Sequence, residues 1–264
     1  SAASDVYKRQ GPDGDALILK RSLALKRLSE RTGRSCPVIA EVQDPENGAA
    51  VRRSGDVHVV EPTQLVTRVI LQAARQPGLS MVYEELLSFA GCELYFHADP
   101  TLVGNTYADA AMRMPRAAVV GIAPADGSTP VLAPPVDRIL ATGDELVLVA
   151  EDDSDIVGAL DQPITVSKDG LRTPPELTPK PESYLVIGWH GWAPLLLREL
   201  DQCLAPGSTI RIMYDPEATG GPDEVMLESL ENVAVTCQTC RTTRYAELEA
   251  IDLSDTDKII VLSY

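Results

Sequence analysis

Four groups of residues in this chain have types and spacings that could do chemistry. The first is Gly188-x-x-Gly191, which lies where an apolar run, YLVIG, gives way to a helical pattern. At such a junction backbone amides and the helix dipole can hold a phosphate. Asp215 closes the next apolar run, where an acid in a dinucleotide fold meets a ribose hydroxyl. The glycine pattern is incomplete, because His190 and Ala193 stand where further glycines belong, and Trp189 and Trp192 are expected to crowd the phosphate. A strand-to-helix turn of purely structural use is the competing reading. The second group is Cys237-x-x-Cys240. A structural zinc needs another ligand pair at similar spacing, and none follows. Redox pairs of this type open helices, whereas these cysteines follow a strand pattern. The third group is Glu151, Asp152, Asp153 and Asp155, an oxygen-rich cluster of the kind that takes calcium; a solvated acidic linker is the alternative. The fourth is His58, His97 and His190, too far apart in sequence for a nucleophile–base pairing to be argued.

The elements that must position these residues fall into blocks. Residues 1–10, SAASDVYKRQ, resemble a translated sequencing adapter and are set aside. In residues 11–62 a helical pattern with Leu17, Leu23, Leu25 and Leu28 precedes the buried-strand run CPVIAEV. Asp44-Pro45 then caps and opens a helix, and VHVV is a second buried strand. This alternation is the rhythm of a parallel α/β sheet, and it starts without a first strand, as a fragment would. Residues 63–90 read as two amphipathic helices hinged at Pro77-Gly78. Their faces, Leu65, Val66, Val69, Ile70 and Ala73 and then Leu79, Val82, Tyr83, Leu86 and Leu87, must be buried somewhere. Residues 91–151 hold short β runs separated by turns such as Ala125-Asp126-Gly127. Residues 152–181 read as an acidic, proline-rich linker. Residues 182–264 return to alternating strands and helices, with the sheet unfinished at the last run, KIIVL.

Composition narrows the function classes. The 264 residues suffice for about two domains, and 44% hydrophobic with 23% charged residues is a globular balance. A net charge of −16 argues against a nucleic-acid surface. No run is long enough to span a bilayer, and five scattered cysteines favour a reducing compartment over a disulfide framework.

The blocks ARQPGLSMVYEELLSFAGCELYF, VVGI, ATGDELVLVAEDD and WHGWAPLLLRELDQCLAPGSTIRIMYD together resemble CASTOR/POLLUX/SYM8-type ion channels. More broadly they resemble RCK (regulator of potassium conductance) and TrkA-type domains. The resemblance covers about residues 15–262. It implies an α/β architecture: the end of a Rossmann-like N-lobe, a helical crossover, a small β-rich TrkA-C-like lobe and a second Rossmann-like lobe. In the TrkA-C-like lobe Gly143-Asp144 makes the turn into the last strand. It also implies a non-enzymatic gating region on the cytoplasmic face of a membrane, a homo-oligomeric, tetrameric ring, and a pore domain carried outside this chain. The gating ligand is left open between calcium and a nucleotide. A soluble NAD-dependent enzyme and a non-catalytic interaction scaffold are the alternatives.

Overall fold

The computed structural model describes residues 12–34, 36–54, 57–88, 90–165 and 178–263. Residues 1–10 thus lie outside it, as do 166–177 of the expected linker. The chain forms two units, Ser1–Pro77 with Thr178–Tyr264, and Gly78–Leu177.

The first unit begins with α1 (Pro12–Thr32), β1 (Val38–Glu41), α2 (Pro45–Arg53) and β2 (Val57–Val60). β1 and β2 pair in parallel, with Ala40 opposite Val59. Asp44 caps α2 by accepting from Glu46 N at 2.9 Å, and Pro45 fills the first-turn position where a missing amide costs nothing. Ala40, Val42 and Val51 make the small core there. α3 (Pro62–Arg75) follows.

After residue 178 come β7 (Ser183–Ile187), α6 (Ala193–Cys203), β8 (Ser208–Tyr214), α7 (Pro216–Thr219), α8 (Glu224–Glu228), β9 (Val233–Thr239), α9 (Tyr245–Glu249) and β10 (Lys258–Val261). Strand order is β10-β7-β8-β9, all parallel. That is the order of a dinucleotide-fold half, in which the sheet grows outward on both sides of its first strand. Leu185, Leu196, Leu197, Leu200, Ile210 and Ile212 are fully buried. The carboxylate of Asp201, itself buried, accepts from Asn232 N at 2.7 Å and Val233 N at 3.1 Å, tying α6 to the start of β9.

α3 packs on α6 and β10, but not through the stripe that its periodicity suggests. Thr67 and Leu71 are buried and Ile70 and Ala74 pack beside them, whereas Leu65 and Val66 stay about half exposed. The partner helix α6 is supplied from far along the chain, so local spacing could not fix which side faces it. The Arg68–Glu199 pair at 3.3 Å closes the contact.

The second unit starts at Gly78, whose φ of 97° makes the left-handed entry to α4 (Leu79–Leu87) that a side chain would resist. β3 (Glu93–His97), β4 (Ala118–Ala123), β5 (Val131–Leu132) and β6 (Glu145–Ala150) form an antiparallel sheet in the order β3-β6-β4-β5, and α5 (Tyr107–Ala111) lies between β3 and β4 in the chain. Leu102, Ile122, Leu146 and Leu148 fill its core. Gly143, at φ 88°, makes the turn into β6, and Asp144 locks it by accepting from Ala141 N at 2.9 Å and Ala125 N at 3.1 Å. The segment read as the start of a linker is held on this unit: Ala159 N donates to Asp99, Leu160 N to Arg113 O and Ile164 N to Met112 O. α4 buries none of its residues fully; Met81 and Leu87 are more than 70% exposed.

Candidate functional site

The end of β7 is where neighbouring strands of the sheet depart to opposite sides, so it is the natural crevice of this lobe. Gly188 leaves β7 with φ 99° and donates to Met213 O at 2.8 Å. A Cβ there would sit 2.5 Å from Leu262 O, so the close crossing of β10 explains this glycine without a ligand. Gly191, by contrast, is exposed and has open space around it.

The tryptophans do not crowd the turn together. Trp189 is 5% exposed and belongs to the core between the sheet and α6. Trp192, the N-cap residue of α6, is half-buried at the turn and packs against the same core. The His190 ring lies 3.8 Å from that of Trp192, and its Nδ1 accepts from Trp192 N at 3.3 Å. His190 Nε2 is buried without a hydrogen-bond partner. Burial therefore pushes the imidazole below its ordinary value of 6.5. α6 has no acid in its first turn, but its first amides are taken within the turn: Ala193 N donates to His190 O at 2.9 Å, Pro194 has no N–H, and Leu195 N donates to Trp192 O at 3.0 Å.

Asp215 does end β8, the strand beside β7. Its carboxylate is engaged locally, accepting from Glu217 N at 3.0 Å to cap α7. Cys237 shares a sheet face with Ile212, whereas Cys240 lines a hollow with Arg211 and Gln238 on the opposite side. Strand alternation thus separates the two thiols.

The acidic group is dispersed. Asp152 caps a short 3-10 turn by accepting from Ser154 N at 2.9 Å, and these bonds hold its carboxyl below the usual range. Asp155 is taken by Arg116. Among the described residues no three carboxylates, histidines or cysteines are placed to share a metal, so Glu151, Asp152, Asp153 and Asp155 are not brought together as a ligand set. Asp152 and Asp153 stay side by side, but Asp152 is used as a cap and Asp155 is paired with Arg116.

A different cleft was not visible in the sequence. It measures about 470 Å³ and is lined from four segments: α1, the β1–α2 turn, the start of α3, and the start of α6. Asp15 on α1, 4% exposed, fixes the first wall by accepting from Gln43 N (3.1 Å), Asp44 N (3.0 Å) and Asn47 Nδ2 (3.1 Å). Thr63 Oγ1 donates to Gln43 Oε1 at 3.3 Å and joins α3 to that wall. Trp192, Pro194, Leu195 and Arg198 form the other side. Asp44-Pro45 was legible as a helix start; nothing in the sequence linked it to Asp15 or Arg198.

Residues 63–165 match the family described as "Castor and Pollux, part of voltage-gated ion channel". Ion channel CASTOR of Lotus japonicus is 30% identical over 94% of this chain, and a probable ion channel CASTOR of Oryza sativa subsp. japonica is 31% identical over 94%. Over nearly its whole length the chain is similar to CASTOR channels. It spans 30% and 28% of the length of those two CASTOR proteins. The CASTOR-like sequence also has the fold of a gating ring: the human SLO3 gating ring superposes with a TM-score of 0.65 at 14% identity, covering 94% of this chain and 53% of that one. That likeness is one of fold. Among the described residues no helix is long and apolar enough to cross a membrane.

Proposed function

We propose that this chain is the cytosolic gating-ring region of a cation channel of the CASTOR/POLLUX type, coupling ligand binding to conduction. The observation that carries the reading is similarity to ion channels running through both units rather than through one motif. The gating-ring fold supports it independently. The mechanism is a population shift: a ligand that favours one arrangement of the ring biases a pore attached to it. The pore lies outside this chain, and the cytoplasmic side and a tetrameric ring of copies belong to the proposal. Of the residues expected to hold a nucleotide, Gly191 has open space around it.

Assembly uses α4 in this proposal. Met81, Val82 and Leu87 are exposed there. The α3 half of the expected interface is in part consumed within its own unit. The double variant Val82→Asp with Leu86→Asp places two charges in the packed contact, where each unpaired charge costs about 3–5 kcal/mol. Light scattering is expected to show oligomers for the parent chain and monomers for the variant. Equal masses would remove α4 from the assembly surface.

One observation favours a second reading. The strand order and the placement of Asp215 are those of a nicotinamide-binding lobe. A soluble dehydrogenase would also need a catalytic pair beside the crevice, and His190 has no acid or nucleophile among its hydrogen-bond partners.

A further inference from the structure

We propose that the cleft between the β1–α2 turn and α6 binds a free α-amino acid with an apolar side chain. Its volume of about 470 Å³ is of small-molecule size. The apolar lining comes from Pro45, Trp192, Pro194 and Leu195. The two walls carry opposite charges. Glu46 stands on the α2 side and Arg198 on the α6 side, both exposed at their helix surfaces. Neither makes an ion pair among the described residues, and they do not pair with each other, so their charged ends are more than 4.0 Å apart. An α-amino acid, whose ammonium and carboxylate stand on one carbon, offers a partner to each and leaves its side chain for the apolar lining. Arg198 lies four residues beyond Pro194 and so shares its helix face.

The same lining selects against other ligands. Asp15 is buried and already accepts three N–H donors, and one oxygen of Asp44 caps α2. A nucleotide's phosphates would face these carboxylates and Glu46 with one guanidinium to offset them. A simple cation would meet Arg198. The acidic wall is rigid in advance, because the buried Asp15 carboxylate fixes its backbone and Thr63 fixes Gln43. Ordering that wall therefore costs little on binding.

As the identity of a gating ligand this inference rests on the channel reading, but the binding itself does not. Isothermal titration calorimetry on the whole chain uses L-leucine, leucinamide, which lacks the carboxylate, and N-acetyl-L-leucine, which lacks the ammonium. Leucine is expected to bind, and each analogue to bind about tenfold or more weakly, as loss of one charged hydrogen bond implies. Arg198→Gln should weaken leucine by a similar factor and leave leucinamide unchanged. Glu46→Gln should weaken leucine and leave N-acetyl-leucine unchanged. Both side chains are exposed, and circular dichroism checks that the variants fold. No heat with leucine up to millimolar concentration, or equal affinity for all three compounds, overturns the site. So does ADP binding that Arg198→Gln abolishes while leucine gives nothing, which assigns the cleft to a nucleotide. The oligomer measurement on α4 concerns the other unit, so a failure here leaves it standing, and the reverse.

Discussion

His190 is where one side chain reports on the crevice. Its Nδ1 accepts the Trp192 amide, which only the neutral ring can do, and its Nε2 is buried without a partner. Burial lowers the folded pKa below 6.5, so the unfolded chain binds the proton more readily. The contribution to stability is therefore complete above about pH 6.5 and is lost as pH falls through the lowered folded value. The nearby positive end of α6 disfavours the imidazolium in the same direction. Denaturant midpoints are expected to drop between pH 7.5 and pH 5, and His190→Asn should remove part of that drop. Trp192 fluorescence should follow the same transition, because the imidazole ring lies 3.8 Å away. An unchanged pH profile in His190→Asn would show that the ring titrates without consequence. Asp144 reaches the same direction by another balance: burial works to raise its pKa, but the amides of Ala141 and Ala125 outweigh it and keep the carboxyl low. Its contribution is present above the usual carboxylate range and disappears in acid.

At the scale of elements, what the sequence revealed and what it concealed differ by the range of the cause. Short apolar runs bounded by turn residues marked nearly every strand, and Pro77-Gly78 marked the break between α3 and α4. Asp44-Pro45 marked the start of α2 because capping is a matter of adjacent residues. The buried stripe of α3 was misplaced because α6 and β10, which choose it, lie far along the chain. The clustering of Glu151 to Asp155 hid another long-range partner: Arg116, far back in the chain, takes Asp155, while Asp152 is spent on its own turn. Asp201 belongs to the long-range class, invisible as a pattern yet central to how α6 and β9 hold together. Asp201→Ala leaves the buried Val233 amide without its acceptor, at a cost of about 1–3 kcal/mol. That should lower the melting temperature of its unit by roughly 2–4 °C per kcal/mol. Asp201→Asn should recover part of the loss, because one carbonyl oxygen still accepts. A wild-type melting curve for Asp201→Ala would mean that water replaces the carboxylate.

For the whole molecule the question is whether a dinucleotide-type sheet still binds a dinucleotide. The strand order is that of the nucleotide fold, and the crevice lies where such ligands bind. Yet the turn has one glycine committed to the crossing of β10, and the acid of β8 is committed to capping α7. A backbone that cannot approach the pyrophosphate loses the contacts that make such sites tight. The expectation is weak or no NAD binding and no hydride transfer with alcohols, aldehydes or hydroxy acids. Fluorescence can decide it, with a clearer signal than two tryptophans would suggest. Trp189 is sealed in the core, so quenching by a ligand in the crevice falls on Trp192. Titration of NAD against the parent chain and Trp192→Phe separates site quenching from inner-filter loss. Saturable quenching that vanishes in Trp192→Phe, with turnover, would turn the assignment from channel regulator to dehydrogenase. Saturable quenching without turnover would instead make the dinucleotide itself the ligand of the ring, and would place it at the α6 end of the cleft rather than across it.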